Sequence, residues 1–132
     1  MNKILVSGIE LSTANEGEIL NMGGPWIGEV SIGDDLISKD CIVDNFVYDK
    51  DRNLLFFVKF NKVSNHKWHF SISFYNIDTK IVFEFDKVFD MVRLGEFVSK
   101  NEIAIYPVFH DRFKNRQQIF NLDKEEFHQL TN

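Results

Sequence analysis

The fold is decided by residues 54–86, whose sequence is LLFFVKFNKVSNHKWHFSISFYNIDTKIVFEFD. Apolar side chains alternate with other residues in three runs, at 54–62, 68–75 and 81–86. A period of two is typical of β-strands, because successive side chains of a strand point to opposite faces of the sheet. Short polar segments separate the runs, and short connections favour antiparallel pairing. Together with the strand expected at 41–48, the pattern predicts a four-stranded antiparallel meander over residues 46–86.

Further strands are predicted on both sides of the meander. The turn-like Gly33-Asp34-Asp35 ends one of them upstream, and Ser99-Lys100-Asn101 divides a hairpin downstream. Residues 8–20 are rich in Gly, Asn, Ser and Thr, which favours a loop. The predicted flanking strands are residues 1–7 (an edge strand), 26–32, 92–98, 102–108 and 117–120.

One helix is predicted, at the C-terminal end. Asp123 is a suitable N-cap, and Glu126 takes the N3 position of a capping box. Leu122 and Phe127 occupy the two hydrophobic-staple positions, and Leu130 follows Phe127 at a helical spacing of three. The pattern predicts a helix of about two turns that packs on the sheet.

The composition fits one folded domain spanning residues 1–132. The chain is 44% hydrophobic and contains 14 Phe, which is too apolar for a disordered segment. We expect an all-β fold with minor α content: an antiparallel meander forming a β-sandwich or a partly open barrel, with the short C-terminal helix. The alternative is a pair of incomplete propeller blades, because the strand rhythm restarts after residue 90.

The compartment expected from the sequence is the cytoplasm. Cys41 is the only cysteine, so no intrachain disulfide can form. The N-terminal residues lack the apolar core of a signal peptide, and no stretch approaches the roughly 20 apolar residues of a transmembrane helix. We therefore expect no membrane association.

The residues capable of catalysis or metal binding lack the required patterns. His66 and His69 are three residues apart on a predicted strand, so their imidazoles face opposite ways. Glu84 and Asp86 share one strand face, and we expect that face to be solvated. Cys41 has no nucleophile signature around it. The sequence predicts no catalytic, cofactor-binding or metal site, and hence a binding protein without enzymatic activity.

Acidic residues are concentrated in the N-terminal part of the chain. Residues 1–51 contain ten acidic residues against three lysines, within a net charge of −5 for the whole chain. Such a bias disfavours nucleic acid as a partner and fits a basic protein. Trp26 follows a Gly-Gly-Pro turn and is a possible aromatic anchor. The predicted partner contacts are Trp26, Asp34, Asp35, Asp49 and Asp51.

Three segments resemble the small immunity proteins that bacteria encode beside type VI or contact-dependent toxins. They are the Gly-Gly-Pro-Trp turn at 23–26, the aromatic meander from Phe56 to Phe74, and the segment from Phe83 to Phe89. The resemblance implies a cytoplasmic protein that binds and occludes a cognate toxin and has no catalysis of its own. Two other functions fit the composition: a small Phe-lined β-barrel for an apolar ligand, and an adaptor or structural subunit that lends a sheet edge to a larger assembly.

Overall fold

The described residues of the computed structural model are 2–18, 25–65, 67–107 and 116–130, and they form eleven β-strands and no α-helix. In chain order the strands are β1 (Asn2–Val6), β2 (Ile9–Glu18), β3 (Trp26–Ile32), β4 (Asp35–Asp49), β5 (Leu54–Ser64), β6 (Lys67–Asn76), β7 (Ile81–Phe89), β8 (Arg93–Ser99), β9 (Glu102–Tyr106), β10 (Gln118–Asn121) and β11 (Phe127–Gln129).

The strands are arranged in two antiparallel sheets. The larger has eight strands in the order β1-β2-β3-β4-β5-β6-β7-β11, and the smaller has three in the order β10-β9-β8. The predicted meander is confirmed and extends to seven consecutive strands. The strand rhythm that restarts after residue 90 marks the second sheet and not a second propeller blade.

Local turn chemistry fixes the register of the central hairpins. Between β6 and β7, the Asn76 side-chain oxygen accepts hydrogen bonds from the backbone nitrogens of Asp78 (3.0 Å) and Thr79 (3.1 Å). Lys80 then takes a positive φ of 61°, and Asn53 does the same at 55° before β5. Asn is well suited to this conformation, because its short polar side chain can bond to the local backbone.

The central strands are buried on both faces, which the alternating pattern does not predict. One core cluster faces the smaller sheet and includes Phe56, Phe70 and Phe74 of the large sheet with Ile103 and Phe120 of the small one. The other face of the same strands forms a second cluster with the N-terminal strands. Its fully or largely buried members are Leu11, Val30, Ile37, Cys41, Leu55, Phe57, Tyr75 and Val82.

The second cluster forms because the large sheet curves over itself. β4 has 15 residues, and its pairing with β5 shifts register between Cys41 and Phe46. A shift of this kind bends a strand and increases its twist. The first half of β4, with β1–β3, therefore covers the face of β5–β7 that carries Phe57 and Tyr75.

Four expectations from the sequence are wrong. Ile9–Glu18, within the expected loop 8–20, form strand β2, and β4 begins at Asp35 instead of Cys41. The large sheet is not closed into a barrel, since β1 and β11 are its two edges and do not pair. The C-terminal helix is absent, because residues 127–129 form strand β11 against β7.

The reason for the missing helix lies in the spacing of its apolar residues. A separation of three puts Phe127 and Leu130 on one helix face but on opposite strand faces. Phe127 packs against the rings of Phe74, Phe83 and Phe85 at 5.5–5.6 Å, whereas Leu130 joins the second cluster. The edge of β7 offers backbone hydrogen bonds as well, and these outweigh the weak stability of a two-turn helix.

Candidate interaction surface

Three turns are joined by contacts that residues 76–80 make with the other two, and we call them the turn-end surface: residues 33–35, 49–53 and 76–80. The Asp35 carboxylate lies 3.3 Å from the Lys80 ammonium. The backbone nitrogen of Ile77 donates to the Asn53 carbonyl oxygen at 3.1 Å, and the Asn53 side-chain amide donates to Asp78 at 2.8 Å. The curvature of the sheet thus brings together turns that are far apart in sequence.

Four of the five predicted contact residues lie on the turn-end surface, but their environments differ. Asp49 is largely buried, with its side chain 12% exposed, and it forms an ion pair with Arg52 while accepting hydrogen bonds from the backbone nitrogens of Asp51 and Arg52. Asp35 is paired with Lys80. Asp34 and Asp51 are exposed, and neither forms an ion pair with another described residue. These two carboxylates are the ones free to meet a partner.

A groove of about 450 Å³ runs beside the turn-end surface, between the β4–β5 turn and the end of β8. Arg52 lines this groove: its guanidinium lies over the Phe97 ring at 5.8 Å and donates to the Lys100 carbonyl oxygen at 2.7 Å and to Asn101 at 2.9 Å. Asp49 therefore orients Arg52, and Arg52 joins the two sheets. The role of Asp49 in the structure is to hold this junction.

Trp26 is separate from the turn-end surface. It begins β3, whereas Asp34 follows the end of that strand, so the two are roughly 20–25 Å apart along the chain direction. The Trp26 side chain is 51% exposed. It borders a second groove of about 670 Å³, which we call the Trp26 groove. Its described lining residues are Asn2, Lys3, Ile4, Thr13, Glu16, Trp26, Val43 and Asp44.

Glu16 enters the Trp26 groove because of a bulge in β2. The pairing of β2 with β3 shifts register between Ala14 and Gly17, and Asn15 within the bulge has a positive φ of 54°. The Asn15 side-chain amide donates to Glu29 on β3, which holds the bulge in place. Glu16 then accepts hydrogen bonds from Asn2 (2.6 Å) and Thr13 (3.4 Å).

Glu16 is not among the residues predicted from the sequence, although one signal pointed to it. A glycine within a strand-forming segment often marks a bulge, and Gly17 follows Asn15 by two residues in just that way. The Gly23-Gly24 part of the Gly-Gly-Pro-Trp turn lies outside the described residues.

A polar network interrupts the second core cluster at its far end. The Glu84 carboxylate accepts hydrogen bonds from Ser71 (2.5 Å) and Asn61 (3.2 Å), and the Lys59 ammonium lies 3.5 Å away. The His128 ring of β11 contacts Glu84 at 3.4 Å and Asp86 at 2.6 Å. The prediction that both carboxylates are solvated is therefore wrong for Glu84, whose side chain is 13% exposed. It is confirmed for Asp86, whose side chain is 52% exposed.

The environment of Glu84 keeps its carboxylate ionised. Burial by itself would raise the pKa of Glu84, but the hydrogen bond from Ser71 and the charge of Lys59, helped by Asn61, outweigh burial and lower the pKa below its usual value. An ionised acceptor surrounded by donors holds strands β5, β6, β7 and β11 together. It is poorly suited to donate a proton as a general acid.

Two other reactive side chains of the described residues, those of Cys41 and Ser71, are buried. Burial raises the pKa of the Cys41 thiol to about 12, with a smaller contribution from Asp40. In the network, the Ser71 hydroxyl bonds to Glu84 and not to His128, so the described residues there lack a serine activated by histidine. Throughout the described ranges, no three His, Cys, Asp or Glu side chains are placed to hold a metal ion.

The described part of the chain has no helix that is long and apolar enough to span a membrane. No known protein family matches the chain, and neither a curated protein nor a solved structure is significantly similar to it.

Proposed function

We propose that this chain is a cytoplasmic binding protein that neutralises a bacterial toxin by occluding it, without catalysis of its own. The observation that carries the proposal is the turn-end surface, where three turns bring five carboxylates together with three cationic side chains. The carboxylates belong to Asp34, Asp35, Asp49, Asp51 and Asp78, and the cations to Lys50, Arg52 and Lys80.

The charges of this surface suit a basic partner. Ion pairs within the surface neutralise Asp35 and Asp49, whereas the exposed carboxylates of Asp34 and Asp51 form no ion pair with a described residue. Many toxins attack nucleic acids through basic clefts, so an acidic surface of this kind would attract and cover such a cleft. Complementary charge increases the association rate more than it increases the affinity.

The packing of the interior favours a protein partner over an apolar ligand. Neighbouring Phe rings of the first cluster lie 5.0–6.3 Å apart, so the aromatic side chains fill the space between the sheets. The ligand alternative relied on a barrel, and the large sheet is open. The shared core of the two sheets also supports the β-sandwich arrangement, which forms part of this proposal.

One observation favours the adaptor alternative. β1 is an edge of the large sheet, and its Leu5 side chain is 71% exposed. An exposed edge can pair with a strand of another chain. Concentration-dependent self-association on a sizing column would support this function, and a monomer at high concentration would argue against it.

A protection assay tests the main proposal. The tagged chain is first used to capture partners from a lysate of its source organism at low and high salt, with identification by mass spectrometry. The captured protein, or the product of the neighbouring gene, is then expressed in cells with and without this chain. We expect the partner alone to stop growth and the chain to restore it. Growth arrest that the chain does not relieve would refute the proposal.

A charge variant tests the role of the turn-end surface. Replacing Asp34 and Asp51 together by Ser removes two exposed carboxylates, whereas Asp49 is kept because it shapes the β4–β5 turn. We expect association with the partner to slow several-fold at low salt, and the difference to shrink at high salt because ions screen exposed charges. An association rate that does not change at low salt would remove the electrostatic part of the proposal.

A further inference from the structure

We infer that Trp26 and Glu16 form a recognition site for one cationic side chain, lysine or arginine, presented by a partner protein. The inference goes beyond the turn-end surface, because the Trp26 groove lies elsewhere on the molecule. Where it concerns the identity of the partner it rests on the proposed function, but the chemistry of the groove can be tested by itself.

Among the described charged residues that line the Trp26 groove, one carboxylate has no cation in an ion pair with it. Lys3 lies 3.4 Å from Glu10, which is outside the groove, and Asp44 lies 3.5 Å from Arg93. Glu16 differs, because its hydrogen-bond partners among the described residues are the neutral side chains of Asn2 and Thr13. A half-buried carboxylate with neutral hydrogen-bond partners attracts a cation more strongly than an exposed one, because less water lies between the two charges.

The local backbone conformation places Glu16 in the Trp26 groove. Four described non-glycine residues have positive φ: Ser7, Asn53 and Lys80 lie in turns, whereas Asn15 lies within a strand, at the bulge. A Cβ atom on Gly28 of β3 would come within 2.8 Å of the Ala14 carbonyl oxygen and 3.1 Å of Glu16. Glycine at position 28 thus allows the bulge to lie directly against β3. Bulges often serve to redirect a side chain towards a binding site.

Trp26 supplies the second half of the recognition. An indole face is the strongest aromatic partner for an ammonium or guanidinium group, and half of the Trp26 side chain is accessible. The aliphatic stem of lysine or arginine can lie along the indole while its charged end approaches Glu16. The groove, at about 670 Å³, is larger than one side chain and leaves room for neighbouring residues of an extended segment.

The experiment follows the two tryptophan indole N–H signals by NMR while a short peptide is added. Trp26 and Trp68 are the two tryptophans, and the Trp26→Phe variant assigns their signals. The probe is a tetra-arginine peptide, and the control is the tetra-citrulline peptide of the same shape without charge. We expect a saturable shift of the Trp26 signal with the arginine peptide, little change at Trp68, and little change at either with citrulline. Equal shifts with both peptides would overturn the inference.

Matched variants separate the site from general attraction to an acidic protein. Glu16→Gln and Asp90→Asn remove the same charge, but Asp90 is exposed and lies outside the groove. We expect Glu16→Gln to weaken peptide binding at Trp26 roughly fivefold or more, and Asp90→Asn by less than about twofold. Equal weakening by both variants would overturn the inference. If Glu16→Gln does not fold, the comparison of arginine with citrulline on the natural chain decides the question.

The protection assay then connects the groove to the partner. If the natural chain protects and the Trp26→Ala and Glu16→Gln variants do not, the groove is part of the interface. If all three protect equally, the groove does not bind the partner, although the proposed function stands. If the natural chain does not protect but the peptide titration succeeds, the proposed function fails and the cation site remains.

Discussion

The replacement Glu84→Gln tests whether the buried network stabilises the fold through its charge. Glutamine has the shape of glutamate and can still accept from Ser71 and Asn61, which lie 2.5 and 3.2 Å from the carboxylate. Each of these hydrogen bonds contributes roughly 1 kcal/mol less to stability when its acceptor is no longer charged. Loss of the ion pair with Lys59 removes about 1 kcal/mol more, because the Lys59 side chain is largely buried. We expect the free energy of unfolding to fall by about 2–3 kcal/mol at pH 7.

The measurement is urea unfolding followed by tryptophan fluorescence, with Asp86→Asn as the control. Asp86 contacts the same His128 ring, but both side chains are 52% exposed, so its loss is expected to cost less than about 1 kcal/mol. Equal destabilisation by the two replacements would refute the reasoning, because a buried carboxylate would then contribute no more to stability than an exposed one.

The pH dependence gives a second check on the same variant. The pKa of Glu84 is lowered by folding from its ordinary value of 4.5, so its contribution is fully present above pH 4.5 and is lost as the pH falls through the lower folded-state pKa. The difference in stability between the natural chain and Glu84→Gln is therefore expected to decrease as the pH falls below 4.5. If the difference in the free energy of unfolding stays constant down to pH 3, the Glu84 carboxylate does not stabilise the fold through its charge.

Two further predictions follow from the same buried face. Ser71 and Ser73 are both buried on β6, but the Ser73 hydroxyl has no hydrogen-bond partner among the described residues. Ser71→Ala removes a hydrogen bond to Glu84 and is expected to lower the free energy of unfolding by about 1–2 kcal/mol. Ser73→Ala is expected to leave that free energy unchanged or to raise it. Thermal unfolding of the two variants decides this, and the reverse order would contradict the hydrogen bonding described. Cys41 is fully buried, and burial raises the pKa of its thiol to about 12. A thiol reagent at pH 8 is therefore expected to react with it only after urea is added. Rapid labelling of the folded chain would show that the second cluster opens readily.

Part of this structure was determined by local sequence patterns. The alternation in 54–86 and the turn residues around it predicted strands β5, β6 and β7 and their antiparallel pairing, because strand periodicity and turn conformation are properties of neighbouring residues. The hairpin β8–β9 and the strand β10 were predicted for the same reason. Glu84 was recognised as a carboxylate on a strand face, but its burial was not.

The remaining features depend on contacts between residues far apart in the chain. The bulge in β4 curves the large sheet, and the N-terminal strands then cover the face that carries Phe57 and Glu84, although a solvated face was expected for Glu84. The apolar spacing around Phe127 fits a helix as well as a strand. The segment forms a strand because the edge of β7 offers it backbone hydrogen bonds. The sequence determined which segments are extended. The tertiary structure decided which faces are covered, because burial depends on what another part of the chain brings to that face.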